Sequence, residues 1–153
     1  MKFLSAILLL LSFSTVATAQ SQMDEQIALV RQSAHTDRKV MIMANVHFTA
    51  DESDQFWAAW EAYRGEMAGN GDRMLALIKD FADHYENMDD MKARELLTDS
   101  FSVKMQGIAI KQGFAKNIAA FMPAKKVMRI IQIENKVDAA IDMQLASEIP
   151  LAK

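Results

Sequence analysis

The chain has 153 residues, 17 basic and 20 acidic side chains, a formal net charge of −3, and no Cys. Without Cys there is no disulfide framework, no thiol chemistry and no C-x-x-C-H haem attachment. The mildly acidic balance gives no electrostatic footprint for nucleic acid or anionic lipid, and five Gly with two Pro argue against a turn-rich β architecture.

Residues 1–19 have the three parts of a cleavable secretory signal peptide. Lys2 supplies the positive charge, Phe3 to Phe13 form a Leu-rich apolar run, and Ala17-Thr18-Ala19 offers small residues for cleavage. The run is too short for a membrane span of about 20 residues, so no stable membrane anchor is expected. No Cys follows it to carry a lipid, and no twin-Arg pair precedes it. Cleavage before Gln20 leaves residues 20–153 as a single domain of net charge −4, destined for the periplasm. Methionine is abundant, at 12 in the whole chain. Met fills irregular gaps in a core and also suits surfaces that accept varied partners.

From Asp24 to about Asn45, Ile27, Val30 and Ala34 followed by the dense Val40-Met41-Ile42-Met43-Ala44 predict a helix. Phe48-Thr49-Ala50-Asp51-Glu52 is a helix start. Thr49 can cap the free N–H groups, and Glu52 can reach back to close a capping box. The helix that follows carries Phe56, Trp60, Tyr63 and Met67 on one face, with Trp57 beside them. Gly69-Asn70-Gly71-Asp72 then predicts either a break, with left-handed glycines ending one helix and Asp72 capping the next, or a kink in a longer helix. Met74, Leu77 or Ile78, Phe81 and Tyr85 continue the apolar stripe.

A second start lies at Met88-Asp89-Asp90, with Asp89 as the cap. From there to Phe121, apolar residues recur at Ala93, Leu97, Phe101, Met105 and Ile108, then at Phe114, Ile118 and Phe121. Gly107 and Gly113 weaken the middle of this long helix, each by on the order of 1 kcal/mol relative to Ala. Pro123 suits the first turn of a last helix running to about Glu148. Its stripe of Val127, Ile130, Ile131, Val137, Ile141 and Leu145 is interrupted by Glu134. Period-two alternation is absent over any useful length. The expected fold is all-α, an elongated helical hairpin or bundle of about four to five helices.

Candidate chemistry is sparse. Two alternative metal sites are possible: Asp80 and His84, at i, i+4 spacing with nearby carboxylates, for Zn, or Met88 and Met91, which could converge at a helix start, for Cu(I). The plain alternative is an acidic solvated helix face and Met packed in a core. No nucleophile elbow, no H-E-x-x-H and no phosphate loop is present, so no enzyme activity and no cofactor are expected. Phe56, Trp57, Trp60, Tyr63 and Met67 are the expected client-binding residues, with core packing as their alternative. Arg129 and Glu134 are expected to be structural, each paired with another helix or subunit and sensitive to truncation.

The two helix starts, forty residues apart, resemble the repeated L-T-x-x-Q pattern of the Spy/CpxP family of periplasmic helical proteins. The first copy has Phe48 for Leu and Glu52 for Gln; the second keeps a capping residue, Asp89, and has Lys92 in the Gln position. The C-terminal Pro123-Ala124-Lys125-Lys126-Val127, Arg129, Gln132-Ile133-Glu134-Asn135-Lys136 and Ile149-Pro150-Leu151 are similar to the tails of small exported proteobacterial proteins of unassigned activity. Those proteins also carry an aromatic helix like Phe56 to Tyr63. The similarities run from about residue 45 to the end. The Spy/CpxP resemblance implies a chaperone-like or stress-response role without ATP or cofactor, and an antiparallel homodimer of curved hairpins holding unfolded or envelope proteins. Two other functions stay open at this level: metal binding or resistance, and a structural part in an envelope assembly.

Overall fold

The computed structural model describes residues 14–153, with side chains from 29 onward apart from positions 30 and 148. The described residues form four helices and no strand: α1 (Ser14–Asn45), α2 (Ala50–His84), α3 (Asp90–Ala119) and α4 (Ala124–Glu148). The all-α expectation is met. Most of the expected signal peptide, residues 1–13, lies outside the described residues, and α1 begins at Ser14 rather than Asp24. No helix among the described residues is long and apolar enough to cross a membrane.

The chain divides into two units, Met1–Met43 and Ala44–Lys153. The described part of the first is α1 up to Met43, which carries Leu29, Val40 and Met43 exposed. Thr36 donates its hydroxyl to the Gln32 carbonyl one turn back, a bond local to the helix.

In the second unit, α2 opens on a complete capping box. The Glu52 N–H donates to Thr49 Oγ1 at 3.3 Å, and the Thr49 N–H donates to Glu52 Oε2 at 2.8 Å. Two donors that a helix start leaves orphaned are thereby satisfied. The helix then runs unbroken for 35 residues, about 52 Å, straight through Gly69-Asn70-Gly71. The break is not realised and the single long helix is. No described residue, glycine included, has a positive φ, so neither glycine adopts the left-handed cap conformation. Asn70 is used in packing instead. Its Nδ2 donates to the Val103 carbonyl of α3 at 3.1 Å, and a Cβ built on Gly107 would sit 3.1 Å from the same nitrogen. Gly107 therefore admits the Asn70 side chain between the helices.

Asp89 caps α3 by accepting the Lys92 N–H at 2.8 Å. Pro123 precedes α4 in an extended conformation without a side-chain cap bond. Contacts between α2 and α3 descend in one as they rise in the other (Tyr63 with Phe114, Asn70 with Val103, Asp80 with Lys92), so the pair is an antiparallel hairpin. Glu52 with Lys126 and Trp60 with Glu134 are each 74 residues apart, so α4 runs parallel to α2 in a constant register. Lys111 ties α3 to α4 through Asn135 and Asp138, at 2.7 Å each. Beyond α4, the Lys153 ammonium reaches the Glu86 carboxylate and lies 4.8 Å from the centre of the Tyr85 ring, at the far end of α2.

The core of this unit is aromatic at its centre. Phe48 stacks on Phe56 at 4.6 Å, Trp57 meets Trp60 edge-on at 5.5 Å, and Tyr63 stacks on Phe114 at 4.3 Å and 10°. Leu96, Val103, Ile118, Met122, Ile130 and Ile133 complete it.

Candidate functional site

The residues expected to bind clients do not share a surface. Phe56 and Trp60 are 0 % exposed and Tyr63 is buried beside them. Trp57 and Met67 are half-buried. The expectation is corrected for Phe56, Trp60 and Tyr63: their spacing on α2 directs them into the core, where no partner can reach them without unfolding the unit.

What these aromatics do instead is hold Glu134. Its carboxylate is fully buried and accepts from Trp60 Nε1 at 2.9 Å, Tyr63 Oη at 3.4 Å and Arg64 at 3.3 Å. A buried carboxylate without such donors would cost several kcal/mol. One turn of α2 supplies all three, at positions 60, 63 and 64, because i, i+3 and i+4 lie on one face. Arg64 also lies 5.5 Å from the centre of the Tyr63 ring. Glu134 thus interrupts its apolar stripe because another helix meets it with polar groups. Arg129 has a different place: it is exposed, and its guanidinium donates to the Asn45 carbonyl at 3.1 Å. The expected sensitivity of Arg129 to truncation is corrected accordingly, since it is no partner of a buried charge there.

Lys126 donates to Glu52 Oε2 at 2.5 Å. That bond, foremost, and the Thr49 N–H hold the Glu52 carboxyl below its ordinary value. The two sequence segments noted for similarity to exported proteins, one opening α2 and the other opening α4, are therefore in direct contact through Glu52–Lys126 and Trp60–Glu134.

Asp80, His84, Met88 and Met91 make a poor metal centre. Lys92 donates to Asp80 Oδ2 at 2.8 Å, and this ammonium is the main reason the Asp80 carboxyl sits below its ordinary value. His84 Nδ1 lies 2.9 Å from the Asp80 carbonyl oxygen and 3.0 Å from its Oδ1. A metal ion would have to displace a cation already in place. Met91 is exposed and Met88 half-buried. Among the described residues, no group of three or more His, Cys, Asp or Glu is arranged to hold a metal ion.

The feature that sequence periodicity left undivided is α3. Its apolar residues occupy two faces. Leu96, Val103, Phe114 and Ile118 face the core, whereas Leu97, Phe101, Met105 and Ile108 are 56 %, 57 %, 64 % and 59 % exposed. The second set follows i, i+4, i+8, i+11 and makes a continuous stripe about three turns long. Adjacent residues such as Leu96 and Leu97 are separated by 100° on a helix, so two apolar faces were readable as two periodic series. On the α2–α3 surface there is also a shallow groove of about 340 Å³, lined by Ala59, Ala62 and Gly113 beside the buried Tyr63–Phe114 stack.

Compared with known proteins, the chain matches no family model, no curated protein and no solved structure.

Proposed function

We propose that this is a periplasmic, non-catalytic helical binding protein that holds apolar segments of unfolded or envelope proteins in a chaperone-like, stress-related role. The observation that carries this is the open face of α3 formed by Leu97, Phe101, Met105 and Ile108. With more than half of each residue exposed, the stripe presents on the order of 400 Å² of apolar surface, in the range of the largest patch on a monomer, which is often functional. Its Phe and Met suit varied partners, since the ring supplies area and the thioether adapts its shape. The export signal read in residues 1–19 supports the compartment, and N-terminal sequencing of the protein from an envelope fraction should begin at Gln20.

The direct test uses insulin B chains that aggregate on reduction, a convenient client because this chain has no Cys for the reductant to alter. Residues 20–153 should suppress aggregation near a one-to-one ratio, and Phe101→Ser/Met105→Ser should lose at least tenfold of that effect. No suppression by the unaltered protein, or full suppression by the double variant, overturns the proposal.

A second reading, self-association on the same face, is favoured by charge. Laid antiparallel on a second α3 about an axis level with residue 103, Phe101 meets Met105, Leu97 meets Ile108 within one residue, and the exposed Asp90 meets the exposed Lys116. Asp90→Lys and Lys116→Asp should each weaken such a homodimer, and the two together should restore it. Sedimentation of all three as monomers, with the parent dimeric, removes this reading.

A further inference from the structure

Methionine is the chain's only sulfur, because there is no Cys to intercept an oxidant first. The methionines with described side chains range from buried through half-buried to exposed. Met43, Met91, Met105, Met128 and Met143 are each more than 60 % exposed, whereas Met122 is 5 % exposed. Two of the exposed ones have polar neighbours at helical spacing: Met128 has Lys125 and Gln132, and Met91 has Arg94 and Glu95. A polar group added there changes little. Met105 differs. It sits between Phe101 one turn before and Ile108 one turn after, inside the exposed α3 stripe.

We propose that Met105 is an oxidation site that switches off the apolar face of α3; this rests on the reading of that face as the partner-binding surface. The oxidant is a peroxide. The thioether sulfur of Met105 attacks the terminal oxygen of hydrogen peroxide, the O–O bond breaks as the S–O bond forms, and the departing hydroxide takes up the proton released to give water. Sulfur loses two electrons and the peroxide gains them. The product sulfoxide is polar and chiral and accepts hydrogen bonds strongly. An apolar segment lying across the stripe offers it no donor, so the acceptor must either stay buried unpaired or expel the segment. A thiol-dependent sulfoxide reductase returns the thioether, which makes the change reversible. Met122, the buried methionine of the core, is shielded from the oxidant.

The experiment treats residues 20–153 with graded hydrogen peroxide, locates added oxygen by peptide mass spectrometry, and measures suppression of insulin B-chain aggregation after the peroxide is removed. Met105 should be converted while Met122 stays reduced, and suppression should fall about tenfold or more in step with Met105 conversion. Met105→Leu should keep suppression after the same treatment, and Met105→Gln should lack it before treatment. Helical circular dichroism should be unchanged throughout. Suppression that survives full conversion of Met105, or that is lost equally in Met105→Leu, overturns the switch while leaving the binding proposal intact. Absence of suppression in the untreated protein overturns the binding proposal, and the switch falls with it.

Discussion

The apolar face of α2 and the outer apolar face of α3 have nearly the same pattern in sequence and opposite fates. Phe56, Trp60, Tyr63 and Met67 recur at three and four residues, as do Leu97, Phe101, Met105 and Ile108. The first series goes mostly into the core, where it meets Phe48, Phe114 and a buried carboxylate; the second is left open. The difference lies in what stands opposite. α2 is flanked by α3 and, through long side chains, by α4; α3 is engaged by α2 and, through Lys111, by α4, yet its outer stripe remains exposed. Periodicity reports that a helix has an apolar face, and only the neighbouring helices decide whether that face is core or surface.

Substitutions sharpen the contrast in order of size. Glu134→Ala leaves the Arg64 guanidinium with no carboxylate beside it and opens space against Trp60, so it should lower stability by about 3–5 kcal/mol. Arg129→Ala should cost under about 1 kcal/mol in the same chemical denaturation, because that side chain makes an exposed bond to a carbonyl. If the two variants melt together, the buried status of the Glu134 cluster is wrong.

Thr49→Ala removes one arm of the capping box and should cost about 1 kcal/mol, read from urea midpoints at unchanged slope. The other arm brings a pH dependence. Glu52 and Asp80 have folded-state values lowered from 4.5 and 3.8, by Lys126 and Lys92 respectively. As pH falls, the unfolded chain binds these protons first, so the contribution is whole above about pH 4.5 and is lost as pH drops through the lowered values. Lys92 is raised above 10.5, chiefly by Asp80, so its contribution is whole below that value and lost as pH climbs past the raised one. Glu52→Gln should flatten the acid limb of a melting-temperature profile. Smallest of all, Phe101→Ser should change stability by no more than about 0.5 kcal/mol while altering partner binding. A loss of stability comparable to Glu134→Ala would mean that the α3 stripe is core after all.

Much of the fold was legible locally. Thr49 with Glu52 and Asp89 announce helix starts because caps are satisfied within four residues. Gly69-Asn70-Gly71 was ambiguous because its outcome depends on a residue far along the chain: Gly107 on α3 leaves room for Asn70, and Asn70 then bonds across the hairpin. Glu134 was legible as a polar residue in need of a partner, yet its partners lie about 70 residues away on α2, beyond the reach of spacing arguments. The occupation of Asp80 was hidden for a similar reason, since Lys92 reaches it only once the hairpin turns back on itself.

The constant offset between α2 and α4 makes the spacing along each helix, more than residue identity, the quantity that keeps this unit in register. Glu52 and Trp60 are spaced by the same eight residues as Lys126 and Glu134. Conservative exchanges along either helix leave both bridges in phase. One residue inserted between Lys126 and Glu134 would turn the carboxylate by about 100° and advance it by about 1.5 Å, out of reach of the indole. Drift in composition is therefore tolerable here where insertion and deletion are not, and kinship to this chain is better sought in matched spacings across two helices than in a string of identical letters.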